Sequence, residues 1–120
     1  MLYQYRKDYE KITMGLLSLV DNLTSMDLVN QEMQWYDGSE SRYLFLYRDD
    51  NNNWSGLVGL EQKNSQLVLH QLVCTPSNKE QLTYNKILSE LSQRFPESKI
   101  VGNLDTRNIC QRWEESLRHG

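Results

Sequence analysis

The hydrophobic pattern changes period along the chain. It opens with a brief alternation, passes into helical spacing, becomes strand-like in the middle, and ends with helix, strand and helix in turn. Leu2 to Arg6 reads as a short strand with Tyr3 and Tyr5 on one face. Asp8 stands where an N-cap would, ahead of Tyr9, Ile12, Leu16, Leu19 and Val20, which keep helical period to about Val20. Asp21 and Asn22 break that period. Thr24 with Asp27 has capping-box spacing and opens a second helix striped by Met26, Val29, Met33 and Tyr36, with Gly38 as its C′ residue.

The pattern then turns to strands. RYLFLYR, Arg42 to Arg48, is rich in β-formers, and the Asp49 to Asn53 run DDNNN is a turn because Asp and Asn tolerate left-handed backbone. WSGLVGLE, Trp54 to Glu61, is the next strand, and Lys63 to Ser65 turns again. Gln66 to Thr75 is a dense apolar run interrupted by His70 and Gln71, as expected of a strand buried on both faces and ended by Pro76. Short turns between these strands imply an antiparallel meander. Tyr84, Ile87, Leu88, Leu91 and Phe95 put one apolar face on the following helix, Lys99 to Leu104 is a short strand, and Asp105 or Thr106 caps a last helix bearing Ile109, Cys110 and Trp113. The unit from Gln66 to Leu104 should be a right-handed crossover with parallel strands.

Composition narrows the field. The chain has 120 residues, 38% hydrophobic, with a net charge of −3, which fits one domain with a single core. A mean hydropathy of −0.70 makes the surface very polar. No Lys/Arg cluster appears, so nucleic acid is not an expected partner. Cys74 and Cys110 stand alone in apolar settings, which points to buried thiols in a reducing compartment and to no metal. MLYQYRKDYE has no apolar leader, and Gly15 to Val20 is too short to span a bilayer, so a cytoplasmic protein with no membrane partner is expected.

A buried strand, a polar loop and an amphipathic helix can bind phosphate at the helix N-terminus, although the same spacing serves a strand simply packed on a helix. Ser77-Asn78-Lys79-Glu80 has capping-box spacing, which would start this helix at Ser77 and satisfy its amides internally.

The order β, α, α, β, β, β, α, β, α resembles the GCN5-related N-acetyltransferase (GNAT) family. WSGLVGLE, with Gly56 and Gly59, resembles the family's third strand, and LHQLVCTP, Leu69 to Pro76, its fourth. YRKDYEKITMGLLSLV is similar to the short RibT-type members encoded with riboflavin-synthesis enzymes. The resemblance implies a truncated GNAT-like α/β (α+β) fold over residues 1–120, a mixed, mostly antiparallel sheet of about five strands flanked by helices, lacking the family's last two strands.

The resemblance also implies acetyl-CoA as cofactor. Its pantetheine would pair with the backbone of Leu72, Val73 and Cys74, and its pyrophosphate would rest on Lys79, Glu80, Gln81, Leu82, Thr83 and Tyr84. Leu82 and Tyr84 stand where the family has glycines, and Glu80 adds a negative charge, so weak binding is expected. Thr106, Ile109 and Trp113 fall at the family's Asn-x-x-Ala-x-x-x-Tyr spacing, with Trp113 replacing the tyrosine that donates a proton. An indole cannot do so near neutral pH, and Trp113 reads as a core or interface residue. Glu61 and His70 are the strand-borne base candidates; Glu61 is expected to be solvated at its strand end, and His70 to serve either as a base or as a satisfied histidine at the core edge. The implied acceptor is a small amine or a protein. A non-catalytic GNAT-fold protein acting through protein contacts is the alternative. The last strand, exposed at the sheet edge, leads us to expect a homodimer.

Overall fold

The computed structural model describes residues 1–119. A five-stranded sheet runs in the order β1-β2-β3-β4-β5, which is also chain order. The elements are β1 (Leu2–Gln4), a 3₁₀ turn (Lys7–Tyr9), α1 (Glu10–Leu17), α2 (Met26–Asp37), β2 (Arg42–Arg48), β3 (Trp54–Lys63), β4 (Gln66–Cys74), α3 (Glu80–Arg94), β5 (Lys99–Gly102) and α4 (Arg107–His119). β1 to β4 pair antiparallel, and β5 pairs parallel with β4 after the α3 crossover, as the connection lengths require.

Both faces of the sheet are covered. Phe45, Val58, Leu60, Leu67, Leu69 and Leu72 meet Ile87, Leu88 and Leu91 of α3 and Cys110 and Trp113 of α4. Leu44, Leu46 and Leu57 meet Leu16 and Leu17 of α1 and Val29 and Tyr36 of α2. This explains the unbroken apolar run of β2: alternate residues enter opposite cores. The turns come where Asp and Asn foretold them, with Asn52 and Asn64 in left-handed backbone (φ 64 and 56). No helix among the described residues is long and apolar enough to cross a membrane.

Several element ends differ from expectation. β1 stops at Gln4, although the Tyr5 amide still donates to Leu44. Asp8 caps nothing; it lies in the 3₁₀ turn, paired with Arg6 at 3.4 Å. α1 ends at Leu17 because Leu19 and Val20 donate to carbonyls three residues back, a tighter winding than α. α2 is capped by Ser25, not Thr24: Ser25 Oγ accepts from the Leu28 amide, three residues on, at 3.3 Å. Gly38 ends α2 in ordinary right-handed backbone (φ −76), its amide donating to the Trp35 carbonyl at 3.3 Å, and the Arg42 guanidinium donates to the same carbonyl at 2.9 Å. β3 continues to Lys63, and β5 ends at Gly102, leaving Leu104 81% exposed.

Candidate active site

β4 has two unlike halves. Gln66 to Leu69 lie between β3 and β5, paired on both sides. At His70 the strand carries a bulge, because Gly59 faces Gln71 while Leu60 faces Leu69, leaving His70 without a partner. The extra residue shifts the phase of alternation, so Leu69 and Leu72 enter the same core while Gln71 and Val73 face α1 and α2. Beyond the bulge β5 has left, and β4 keeps only β3 as a neighbour. The Thr75 amide donates to Ser55 at 2.8 Å, so by antiparallel alternation Val73 and Gln71 also turn to β3. The N–H and C=O of Leu72 and Cys74 then face the gap.

The fork is sealed at its base. Asn103 Nδ2 donates to the His70 carbonyl at 3.2 Å, and the Thr106 hydroxyl lies 3.2 Å from the Leu69 carbonyl, to which it donates. Asn103 Oδ1 also receives the amides of Asp105 and Thr106, both at 2.9 Å, so Asn103 organises the entry to α4 and not Asp105 or Thr106 alone. Gly102 permits this turn, because a Cβ there would lie 2.7 Å from Arg107 Cα.

Above the fork opens a cleft of about 650 Å³. Its floor is β4 from His70 to Cys74; Pro76, Glu80 and Tyr84 form one wall, Asp105 and Thr106 another, and the α1–α2 connection with Glu32 of α2 the rim. The capping box expected at Ser77 does not form. Ser77 Oγ accepts from the Lys79 amide at 3.0 Å, closing a local turn, and α3 starts only at Glu80, with Lys79 as N-cap and no side chain on its first amides. Those amides are therefore not consumed by the chain's own side chains. Leu82 is 58% exposed. Tyr84 lines the wall beside Cys74; burial first, then the Cys74 side chain and the Glu80 charge, push its phenol up, against a smaller lowering by the Cys74 backbone. Burial likewise raises the Cys74 thiol, partly offset by Tyr84. Both cysteines are free and buried.

Glu61 is not solvated. Its side chain is 14% exposed, within 3.1 Å of His70 Nε2, 3.7 Å of Arg42 and 3.8 Å of Lys63. Burial opposes its charge, but the His70 hydrogen bond and the Lys63 and Arg42 charges prevail and hold the carboxyl below its ordinary range. His70 lines the cleft and rests edge-on against Trp35 at 5.0 Å. The two base candidates thus form one dyad across β3 and β4. With Nε2 on Glu61, Nδ1 of the neutral ring is the remaining proton acceptor. Trp113 is a core residue, 7% exposed, its indole N–H donating to Ser89 at 3.0 Å.

Beside the dyad lies a second set that the pattern of residue types does not single out. The Tyr36 hydroxyl donates to Gln71 Oε1, and Gln71 Nε2 donates to Glu32 Oε2 at 2.7 Å. Tyr36 lies directly over Gly59, where any Cβ would run into the Tyr36 hydroxyl. The signals were present in part: the phase change from Leu67/Leu69 to Leu72/Cys74 marks the bulge, and Glu32, Trp35 and Tyr36 share a helix face at spacings of three and four.

As tests of fit for acyl-CoA, the free strand edge at Leu72 and Cys74 suits a pantetheine arm, which is an amide chain. The phosphate end suits less well: Glu80 and Asp105 line the cleft, which has no Lys or Arg among its described lining residues.

No family model matches the chain. An uncharacterized N-acetyltransferase in the lysA 3′ region of Bacillus methanolicus is 30% identical over 121 residues, covering 100% of this chain and 98% of that protein. Among solved structures, aminoglycoside 6′-N-acetyltransferase AAC(6′)-Iy, bound to a CoA-S-monomethyl-acetylneamine bisubstrate analogue, superposes with a TM-score of 0.71 at 14% identity, over 98% of this chain and 88% of that one. AAC(6′)-Ih from Acinetobacter baumannii gives 0.69 at 13% identity over the same shares, 98% and 88%. The aminoglycoside 6′-N-acetyltransferase of Enterococcus faecium gives 0.62 at 16% identity, and this chain spans 55% of its length. The structural likeness speaks for the fold, and the sequence relative, matched end to end, decides the family: this chain belongs to the GCN5-related N-acetyltransferases.

Proposed function

We propose that this chain is an acyl-CoA-dependent N-acetyltransferase acting on an amine. The observation that carries this is the bulge that places His70, backed by Glu61, in the same cleft as the edge of Leu72 and Cys74 that no second strand covers. Acetyl-CoA, when bound, supplies the thioester. The backbone of Leu72 and Cys74, with Val73 between them, would hold its pantetheine arm, and the segment Lys79, Glu80, Gln81, Leu82, Thr83 and Tyr84 its phosphate end. A solved structure of the same fold holding a CoA bisubstrate analogue supports that placement. His70 takes the proton of the acceptor ammonium, and Glu61 holds the imidazole and stabilises its charged form.

Binding of acetyl-CoA is weak in this reading, because Glu80 and Asp105 oppose the phosphates and Tyr84 fills the wall where the family has glycine. The similarity of residues 5–20 to RibT-type proteins supports a link to riboflavin biosynthesis, and the buried free thiols support a cytoplasmic site of action. The test is release of CoA thiol from acetyl-CoA in the presence of an amine panel that includes amines of that pathway. His70→Ala should lower kcat by about 10²–10⁴-fold. If millimolar acetyl-CoA neither stabilises the wild type nor yields thiol with any amine, the reading fails and the non-catalytic alternative replaces it.

The free edge of β5 supports a homodimer by twofold strand pairing, since Lys99 is its one charged residue. Light scattering after size exclusion distinguishes dimer from monomer.

A further inference from the structure

Glu32 is held in place by more of the structure than a surface carboxylate needs. Its Oε2 receives Gln71 Nε2 at 2.7 Å. The Gln71 amide cannot turn over, because its Oε1 receives the Tyr36 hydroxyl. Tyr36, in turn, is 4% exposed and sits where only a glycine, Gly59, leaves room. Packing on β3 thus fixes Tyr36, Tyr36 fixes Gln71, and Gln71 fixes one oxygen of Glu32. The carboxylate still lines the cleft with His70. Among the described residues it has no Lys or Arg partner within ion-pair distance, although Lys and Arg pairs are found for Glu61, Asp50 and Asp8.

A fixed carboxylate without a cation, in a cleft that handles amines, attracts a positive charge. That charge cannot belong to the nitrogen that reacts, because His70 must strip it of its proton first. It must come from elsewhere on the acceptor. Glu32 and Trp35 are neighbours on one face of α2, and Trp35 rests on His70 with ring centroids 5.0 Å apart, so the two stations lie side by side in one cleft.

We propose that Glu32 is the specificity-determining residue for the acceptor and that the acceptor is a short diamine, one nitrogen at His70 and the second, still charged, at Glu32. This deepens the acetyltransferase reading and rests on it for the role of His70; its test is a binding measurement, so each can fail alone.

The experiment is calorimetric titration of the whole chain with 1,4-diaminobutane and with 4-amino-1-butanol, which has the same length and one charge. Wild type should bind the diamine about tenfold or more tighter. Glu32→Gln should abolish that preference and leave the aminoalcohol unchanged, since the glutamine carbonyl still accepts from Gln71. Tyr36→Phe, which frees Gln71, should reduce the preference without removing it. Equal affinity of wild type for the two ligands, or a diamine preference that survives Glu32→Gln, overturns the proposal. Thiol release from acetyl-CoA tests the underlying reaction separately.

Discussion

The two halves of β4 share a strand, a neighbour in β3 and a core, and differ in one thing. Gln66 to Leu69 are paired on both edges, whereas Leu72 to Cys74 are paired on one. The side chains cannot tell these halves apart, because Leu67, Leu69, Leu72 and Cys74 are all buried. What separates them is a bulged histidine and the departure of β5, locked by Asn103 and Thr106. The lesson is that a binding edge can be made from an ordinary core strand by removing a neighbour and keeping the core. The chemical groups then gather at the junction: His70 at the bulge, Glu61 across the strand pair, Gln71 and Glu32 one step beyond.

The largest expected effect comes from the closed half. Leu69→Ala removes a fully buried side chain and should cost about 2–5 kcal/mol in denaturant unfolding. If it costs under about 1 kcal/mol, the closed half is not the anchor of the strand.

Next is the lock. Thr106→Val keeps shape but strips the hydroxyl from the buried Leu69 carbonyl and the Asn103 amide, which should cost about 1–3 kcal/mol. Hydrogen exchange should quicken at the fork, residues 69–72, more than at residues 66–68. Uniform acceleration would show that the halves open as one unit.

Gly59→Ala acts on the open half from behind. Its Cβ meets the Tyr36 hydroxyl and lies 3.0 Å from Gln71 Oε1, so overpacking of about 1–3 kcal/mol is expected together with loss of the Gln71 orientation. The check is the diamine preference, which should fall in this variant even at temperatures where it is fully folded.

The dyad has its own pH signature. The Glu61 carboxyl is held low in the folded chain, so its contribution to stability is present above the ordinary value of 4.5 and is lost as pH falls through the lowered value. His70→Ala removes the principal group that lowers it, and the acid limb of the stability curve should become shallower. An unchanged limb would mean that Lys63 and Arg42 alone set the charge.

The smallest effect separates two serines. Ser25→Ala should cost about 1 kcal/mol, as a working N-cap does. Ser77→Ala should stay within about 0.5 kcal/mol, since Ser77 serves only an exposed turn. Equal losses would mean that the start of α3 is capped after all and the open half less available.

The sequence by itself determined the element order, the antiparallel meander, the parallel crossover and the turns at Asp49 to Asn53 and around Asn64. These follow from local periodicity and from the backbone tolerance of Asp and Asn, which act within a few residues. It also carried the family, through the glycines of β3 and the run of β4. Local rules misled at Ser77 and Thr24, because capping spacing says that a cap could form, and only the path of the incoming chain says whether it does. Ser25 caps where Thr24 was expected, and at Ser77 the exit from Pro76 closes a turn first. The tertiary structure alone decided that Glu61 is half-buried and paired with His70, since the partner lies across a strand pair whose register depends on the bulge. It alone brought Asn103 to the fork and Glu32 to Gln71, pairs separated by dozens of residues that meet only when both cores have packed against the sheet.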